Sequence, residues 1–429
     1  MKYTHKMVAE LLKRTAKELG KNPHEINKGQ LFKADPKLTD WTLRILGGLG
    51  AIKDRYFPIT TKDLVEIAET KDVNSYIKKL ETTVANKEGF RQKLVALVQN
   101  NLSPLPKIKP RKFKPTSTEQ ERQLVLMLND THMGLLVHAD EVNDVNSFGW
   151  KESCRRTAMM LKETLNYKSH NRNQVSKVHL VLNGDLIQGI IHGLQMDQME
   201  KSIHQVNGAV HILTHLIAGL AQEFKEVQVH GLCGNHEDSP HKRDHGKRVN
   251  SEKYDSYANI IFYSLSTAFR NSEHIIFNFT KGLHLNIDLP AGRALITHGD
   301  TLFGRALGNP GTSINVKGLS NEIRAWNAGE IAKGRPPIKL IMFGHVHSFA
   351  HFITSDGVEV YIAPSLSGTD GYSYGGFNAN TNLIGQVVFE STPKFILGDS
   401  RLVRLNEADT NSDLDELIPI YKNSLKWQK

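Results

Sequence analysis

Five short apolar runs in this chain each end in a loop that carries Asp, Asn or His, and few folds can use such a pattern. The runs are Leu124 to Leu128, Val178 to Leu182, Val227 to Leu232, Ala294 to Ile296 and Ile338 to Phe343. The loops after them read Asn129-Asp130-Thr131-His132, Asn183-Gly184-Asp185, Gly234-Asn235-His236-Glu237, Thr297-His298-Gly299-Asp300 and Gly344-His345-Val346-His347. Between the runs lie helical patterns around 153–168, 199–224 and 253–269, an alternation that predicts an α/β domain. In the middle pattern Ile203, Val206, Val210, Leu213, Ile217 and Leu220 recur at helical spacing and are read as core. Sites in open α/β sheets lie at the carboxyl ends of strands, so the five loops can converge on one point.

Taken singly each loop has a bland reading, because Gly-Asp is a common turn and a lone Asp-x-His decides nothing. Order, shared placement and residue type together point to a metal centre. Carboxylates, imidazoles and one amide suit a borderline divalent ion; Mn is expected, with Fe, Zn, Ni or Mg as alternatives. No thiolate belongs to the set, which disfavours a closed structural zinc site. The two cysteines, Cys154 and Cys233, are too few for a disulfide framework and are read as buried small hydrophobes in a reducing cytosol.

Asp-x-His, Gly-Asp, Gly-Asn-His-Glu, His-Gly and Gly-His-x-His, in that order over about 120–390, resembles the signature of the calcineurin-like metallophosphoesterases. The resemblance implies a β-sandwich of two mixed sheets flanked by helices, and two divalent cations. By motif, Asp130, His132 and His347 would hold the first cation and Asn235, His298 and His345 the second, with Asp185 bridging. His236 would face the scissile phosphate as the catalytic acid or charge stabiliser. A bridging hydroxide would attack in line, and the leaving oxygen would need a proton that a histidine can give. The glycines at 184, 234 and 344 are expected to let the backbone turn sharply after each strand.

The remainder of the chain bears on substrate. Residues 1–60 read as a small all-α unit: Thr4 caps a helix with Val8, Leu11, Leu12, Thr15 and Leu19 on one face, Gly20 ends it, and Thr39-Asp40 starts another that Gly47-Gly48 stops. Short helices and tight turns fit a helix-turn-helix, with Arg44 on the groove-facing helix and Lys33, Lys37, Lys53 and Arg55 near phosphates. The runs AKELGKNP and LRILGG resemble the helical repeats appended to homing endonucleases; a docking module is the equal alternative. Polar helices are expected over 61–103, then a Pro/Lys-rich linker over 104–120 with Lys107, Lys109, Arg111, Lys112 and Lys114. The catalytic domain is expected over 121–400 and a tail over 401–429, with a last helix near Leu414 to Lys426.

The chain carries 54 Lys plus Arg against 45 Asp plus Glu, a formal +9, which favours polyanionic partners. Beside the third motif sit Lys242, Arg243, Lys247 and Arg248, placed to track a phosphodiester backbone or to be a solvated loop. Tyr372 and Tyr374 could stack on bases or pack on the sheet. Protein phosphatases carry Asp and Arg soon after Gly-Asp and an Arg before the last Gly-His; this chain has Leu186-Ile187-Gln188-Gly189 and Phe343 there. The core is similar to SbcD-type and phage DNA nucleases, although in those the first motif lies near the N-terminus and a capping domain follows. The expected activity is therefore a DNA exo- or endonuclease, with DNA ahead of RNA. The alternatives are a phosphodiesterase or phosphatase on small nucleotides or phosphoproteins, and a catalytically dead DNA-binding scaffold. No membrane partner is expected, a homodimer stays open, and the expected location is the cytoplasm of a bacterial or phage-infected cell.

Overall fold

A strand covered on both faces has little reason to alternate, and that is why the runs before the motifs are mostly apolar, with His179, Gln228, His230 and Lys339 as the exceptions. The computed structural model describes residues 3–21, 23, 26–46, 49, 52–53, 56, 104–110, 122–170, 175–189, 201–238, 253, 255–308, 313–377 and 383–405. Expectations for residues 61–103, for Arg55, Arg111, Lys112, Lys114, Lys242, Arg243, Lys247 and Arg248, and for the last helix lie outside them, as do the side chains of Arg44 and Tyr372. The chain divides into two units, Met1–Gln92 and Lys93–Lys429.

In the larger unit one sheet holds β1 (Gln123–Leu128), β2 (Lys177–Asn183), β3 (Glu226–Leu232), β4 (Ile275–Phe279), β10 (Gly385–Ser391) and β11 (Ser400–Arg404), in the order β11-β10-β1-β2-β3-β4. β1 to β4 run parallel, while β10 lies antiparallel to both β1 and β11. The second sheet holds β5 (Leu285–Leu289), β6 (Gly292–Ile296), β7 (Ile338–Phe343), β8 (Ala350–Ile353) and β9 (Glu359–Ile362), in the order β5-β6-β7-β9-β8. β6, β7 and β9 are parallel, with antiparallel β5 and β8 at the edges. Two mixed sheets flanked by helices are the architecture the resemblance implies.

Alternate residues of each strand serve different cores. From β1, Val125 and Met127 point between the sheets with Val181, Leu232, Ile296, Met342 and Phe389. Leu124, Leu126 and Leu128 point outward, under α4 (Trp150–His170), α5 (Ser202–Glu223) and α6 (Tyr257–Ala268). The far face of the second sheet, Leu295, Ile341 and Phe343, is covered by α7 (Gly304–Leu307) and α8 (Val316–Ala332) through Leu307, Leu319 and Ile323. On α5, Val206, Val210, Leu213, Ile217 and Leu220 are buried as expected, and Ile203 is half-buried.

Residues 104–110 form no regular element, as their prolines require. They are nevertheless docked on this unit. The Leu105 N–H donates to Ala268 O (3.0 Å) and the Ile108 N–H to Ser272 Oγ (3.1 Å), and both side chains pack on the helix-side core. Lys107 and Lys109 are exposed, with the Lys107 ammonium 3.5 Å from Glu273. The first sheet ends at Arg404, a little beyond the expected boundary at 400.

The smaller unit holds three described helices. Thr4 Oγ caps α1 (His5–Glu18), and Gly20, at φ 62°, closes it with the Gly20 N–H on Lys17 O and the Lys21 N–H on Ala16 O. Val8, Leu11, Leu12 and Thr15 are buried, but Leu19 falls at the cap and is 48% exposed. α2 (Lys28–Ala34) begins after Asn22-Pro23, a turn or helix start by sequence; its reciprocal Asn27–Gln30 cap defines it, and it buries only Leu31, too little for a periodic signal. α3 (Asp40–Ile45) starts at Thr39, whose Oγ accepts from the Thr42 N–H. Arg44 is therefore on the third helix, Lys33 sits in α2, and Lys53 is half-buried.

Between the sheets, His179 Nδ1 lies 2.9 Å from His230 Nε2, and His179 Nε2 lies 2.7 Å from Gln123 Oε1. Burial holds His230 down to about 3 and His179 well below the usual imidazole range. A depressed histidine contributes stability that is complete above about 6.5 and is lost as pH falls toward the folded value. The His230→Met variant should therefore lose about 2–4 kcal/mol less stability than the parent between pH 7 and pH 4, read from urea midpoints. Equal losses would remove His230 as an acid-sensitive point.

Candidate metal centre

The motifs stand at the carboxyl ends of β1, β2 and β3 in one sheet and β6 and β7 in the other, so the centre forms where the two sheets meet at one edge. The ligand residues themselves carry the backbone turn. Asp130 (φ 49°), His132 (φ 42°), Asp185 (φ 49°), His345 (φ 67°) and His347 (φ 55°) all lie in the left-handed region, which a side chain seldom adopts. Only Gly184 (φ 77°) fills the expected glycine role; Gly234 and Gly344 have no such φ. They are needed for close approach instead. A Cβ on Gly234 would stand 2.0 Å from Asp185 Oδ1, and one on Gly344 would stand 2.7 Å from Asp130 Oδ2.

Backbone amides orient the carboxylates. The His345 N–H lies 3.0 Å from both oxygens of Asp130, and the His236 N–H donates to Asp185 Oδ1 at 2.9 Å. Glu237, fully buried, accepts from the Leu186 N–H with one oxygen and from the Gly234 N–H (3.0 Å) with the other. It thereby ties the Asp185 loop to the Asn235 loop. Lys253, buried too, donates to Gly234 O (2.6 Å) and Asp300 Oδ2 (3.0 Å). Asp130 O accepts from Ser365 Oγ (2.9 Å), which joins the first motif to the segment after β9.

Three overlapping groups have ligand atoms all within 4.8 Å of one another: Asp130, His132 and His347; Asp185, His298 and His345; and His132, Asp185 and His236. The first holds the three residues named for one cation, and the second sets Asp185 beside His298 and His345, two of the three named for the other. The third brings His236 as close to Asp185 as a ligand would be, with Nε2 at 4.0 Å from Oδ2. Ring orientation is set from behind. His298 Nδ1 lies 2.9 Å from Asn183 O and His236 Nδ1 lies 2.9 Å from Gln188 O, so each presents Nε2 to the centre.

The residues fit divalent cations. Asn235 Oδ1 is buried with no protein partner, as buried polar atoms seldom are. His132 Nε2 and His347 Nε2 face each other at 3.1 Å, the spacing of neighbouring ligands each about 2.1 Å from one cation. Asp130, Asp185 and His298 side chains are at most 1% exposed, whereas His236 is 12% and His347 is 19%, so the centre opens on the His236–His347 side.

Electrostatics agree. Burial alone would raise both carboxyls, but His347 and His298 outweigh it at Asp130, held at about 2, and His298 and His236 do so at Asp185, held well below the usual range. Burial and neighbouring imidazoles keep His132 neutral, at about 3, and His345 at about 4. Burial would lower His298 as well, but Asp185 outweighs it and lifts that ring to about 10. His347 is raised against its burial by its bond to Asp130. Glu237 is pushed up to about 8 by burial and by Asp185.

No protein-family model and no curated protein matches this chain. Among solved structures it is similar to a 5'-nucleotidase from Candida albicans, with 10% identity and a TM-score of 0.35 over 75% of this chain and 60% of that one. It is similar to a purple acid phosphatase from yellow lupin seeds, with 12% identity and a TM-score of 0.30 over 68% and 56%. It is also similar to a dimetal phosphatase from Danio rerio, with 10% identity and a TM-score of 0.30 over 66% and 98%. The chain thus spans little more than half the length of the first two. Superpositions this loose carry no argument, and the chemistry rests on the side chains described above.

Of the expected substrate contacts, Tyr374 lies in α9 (Gly371–Phe377), half-buried against the helix-side core rather than in a turn. Phe343 is fully buried beside Phe303, where protein phosphatases carry Arg. Sequence reasoning missed Lys253 entirely and left Glu237 and Asp300 without roles. Lys253 sits in no motif, and only Glu237 and Asp300, as motif members, had a signal.

A cation and the proton held between His298 and Asp185 compete for one place. The raised His298 value stabilises the metal-free protein at low pH, an increment complete below about 6.5 and lost as pH rises to about 10. Cation affinity should run the opposite way, rising across that window with release of about one proton at pH 7. Calorimetry of Mn²⁺ binding in buffers of different ionisation heat reads the proton count; a count of zero would remove His298 from the ligand set.

Proposed function

We propose that the protein is a two-metal phosphoesterase that hydrolyses phosphodiester bonds of nucleic acid. One observation carries the phosphoesterase reading: donors from five strand ends converge while Asn235 Oδ1 stays buried without a protein partner. Asp130, His132 and His347 would hold one cation, and Asn235, His298 and His345 the other, with Asp185 between them. Such a pair supplies Lewis acidity at the phosphoryl oxygens and lowers the pKa of water.

The chain's own groups do the rest. His236 is anchored by Gln188 O and presents Nε2 on the open side, where the leaving oxygen of a docked phosphate would take up a proton or need its charge stabilised. The His236 N–H and the His345 N–H keep Asp185 and Asp130 in place. The buried surroundings strengthen every charge interaction at the phosphate.

The formal +9 and the exposed Lys107 and Lys109 on the docked segment support nucleic acid as substrate, DNA ahead of RNA. Lys242, Arg243, Lys247 and Arg248 would add backbone contacts. A second reading, a diesterase or phosphatase on small nucleotides, is favoured by Tyr374, which packs on the core instead of offering a stacking face. Buried Phe343 speaks against phosphoproteins, and the complete donor set speaks against a dead scaffold.

Labelled linear and circular DNA, bis-p-nitrophenyl phosphate and p-nitrophenyl phosphate, each with Mn²⁺, separate these readings. The parent should cut DNA, His236→Ala should lower kcat about 10²–10⁴-fold, and Asp185→Asn should be inactive. Replacing Lys242, Arg243, Lys247 and Arg248 by Ala should raise KM for DNA about tenfold or more and flatten its salt dependence, with little effect on bis-p-nitrophenyl phosphate. Cleavage of the small diester or monoester alone would sink the nucleic-acid reading and keep the phosphoesterase.

A further inference from the structure

Asn235 is a cation donor whose oxygen nothing among the described residues anchors. Its Oδ1 has no protein partner, so its position depends on the peptide it hangs from. That peptide is gripped at both ends of Gly234: the N–H by Glu237 Oε2 at 3.0 Å, the carbonyl by Lys253 Nζ at 2.6 Å. The same ammonium reaches Asp300 Oδ2 at 3.0 Å, two residues beyond His298. Lys253 therefore spans from the β3 loop to the β6 loop, and so from one ligand of the second half-site to another. Among the described residues its ammonium bonds to Gly234 and Asp300 and to none of Asp130, His132 or His347.

Lys253 is itself held. Its carbonyl accepts from Asn259 Nδ2 on α6 at 2.9 Å and faces Cys233 Sγ at 3.7 Å. Its side chain is 5% exposed and that of Asp300 is 4%. A buried ammonium and a buried carboxylate need each other, which makes the spacing of the two loops stiff. Arg would not substitute freely, because its planar fork fits neither the single carbonyl nor the space of a compact ammonium.

We propose that Lys253 is a positioning residue that sets the geometry of the second cation half-site by stapling the Asn235 loop to the His298–Asp300 loop. This rests on the two-cation reading of the centre, and it adds that the two half-sites are separately tunable. Removing the ammonium should loosen Asn235 and His298 and leave Asp130, His132 and His347 as they are.

Stepwise Mn²⁺ binding by calorimetry tests this on the full chain, beside thermal unfolding of the metal-free protein. The parent should bind two cations. Lys253→Met should weaken one step about tenfold or more and leave the other within about twofold. Because that variant removes the ammonium from the buried Asp300 carboxylate, the double variant Lys253→Met with Asp300→Asn is the fold-safe comparison: it should recover the unfolding temperature but not the weakened step. Lys253→Arg, which keeps the charge, should bind the second cation more weakly than the parent. If the double variant binds both cations as the parent does, Lys253 is only a counterion for Asp300 and the proposal is overturned. If the parent binds fewer than two cations, the two-cation reading fails first and this inference falls with it.

Discussion

A buried carboxylate must find positive charge, and the centre is organised around that need at Asp185. Its side chain is 1% exposed, and His298 Nε2 stands 3.0 Å from one of its oxygens. The other oxygen takes the His236 N–H. Asp130, fully buried, repeats the arrangement with the His345 N–H. In the metal-free protein the raised His298 and His347 imidazoles supply that charge, while burial keeps His132 and His345 neutral. Divalent cations would supply it in place of the protons and would use the neutral imidazoles as donors.

The backbone accepts strain to arrange this. Five ligand residues occupy the left-handed region, and two neighbouring glycines are packed so closely that a methyl group would collide with a ligand carboxylate. The compensation comes from the sandwich beneath, where mostly apolar strands and their two-sided cover make the strand ends rigid. Glu237 and Lys253 then fix the loops to each other rather than to the sheet. A rigid base with mutually stapled loops holds donors at short range more closely than flexible loops could.

Much of this was legible in the chain. β1, β2, β3, β6 and β7 are largely buried on both faces, so their sequences are apolar runs with few interruptions, and the motif after each run names its ligand. β4 and β5 were not legible. Ile276, Asn286 and Asp288 are exposed, and the half-covered strands that result read as mixed polarity. α8 gave no signal because it buries little besides Leu319, Ile323 and Glu330. The strain at Asp130 and His347 was invisible, since residue type suggested that glycines would take the unusual φ values. Lys253 was invisible for a different reason: its partners, Gly234 O and Asp300, are distant in sequence and belong to no spacing rule.

The central claim is that Asp185 sits between two cations, each held by its own three residues. Crystals soaked in Mn²⁺, with anomalous differences measured at the manganese edge, test it most directly. Two peaks about 3.5–4 Å apart are expected, one beside Asp130, His132 and His347 and the other beside Asn235, His298 and His345, with Asp185 contacting both and His236 contacting neither. A single peak, or a peak ligated by His236, would contradict it.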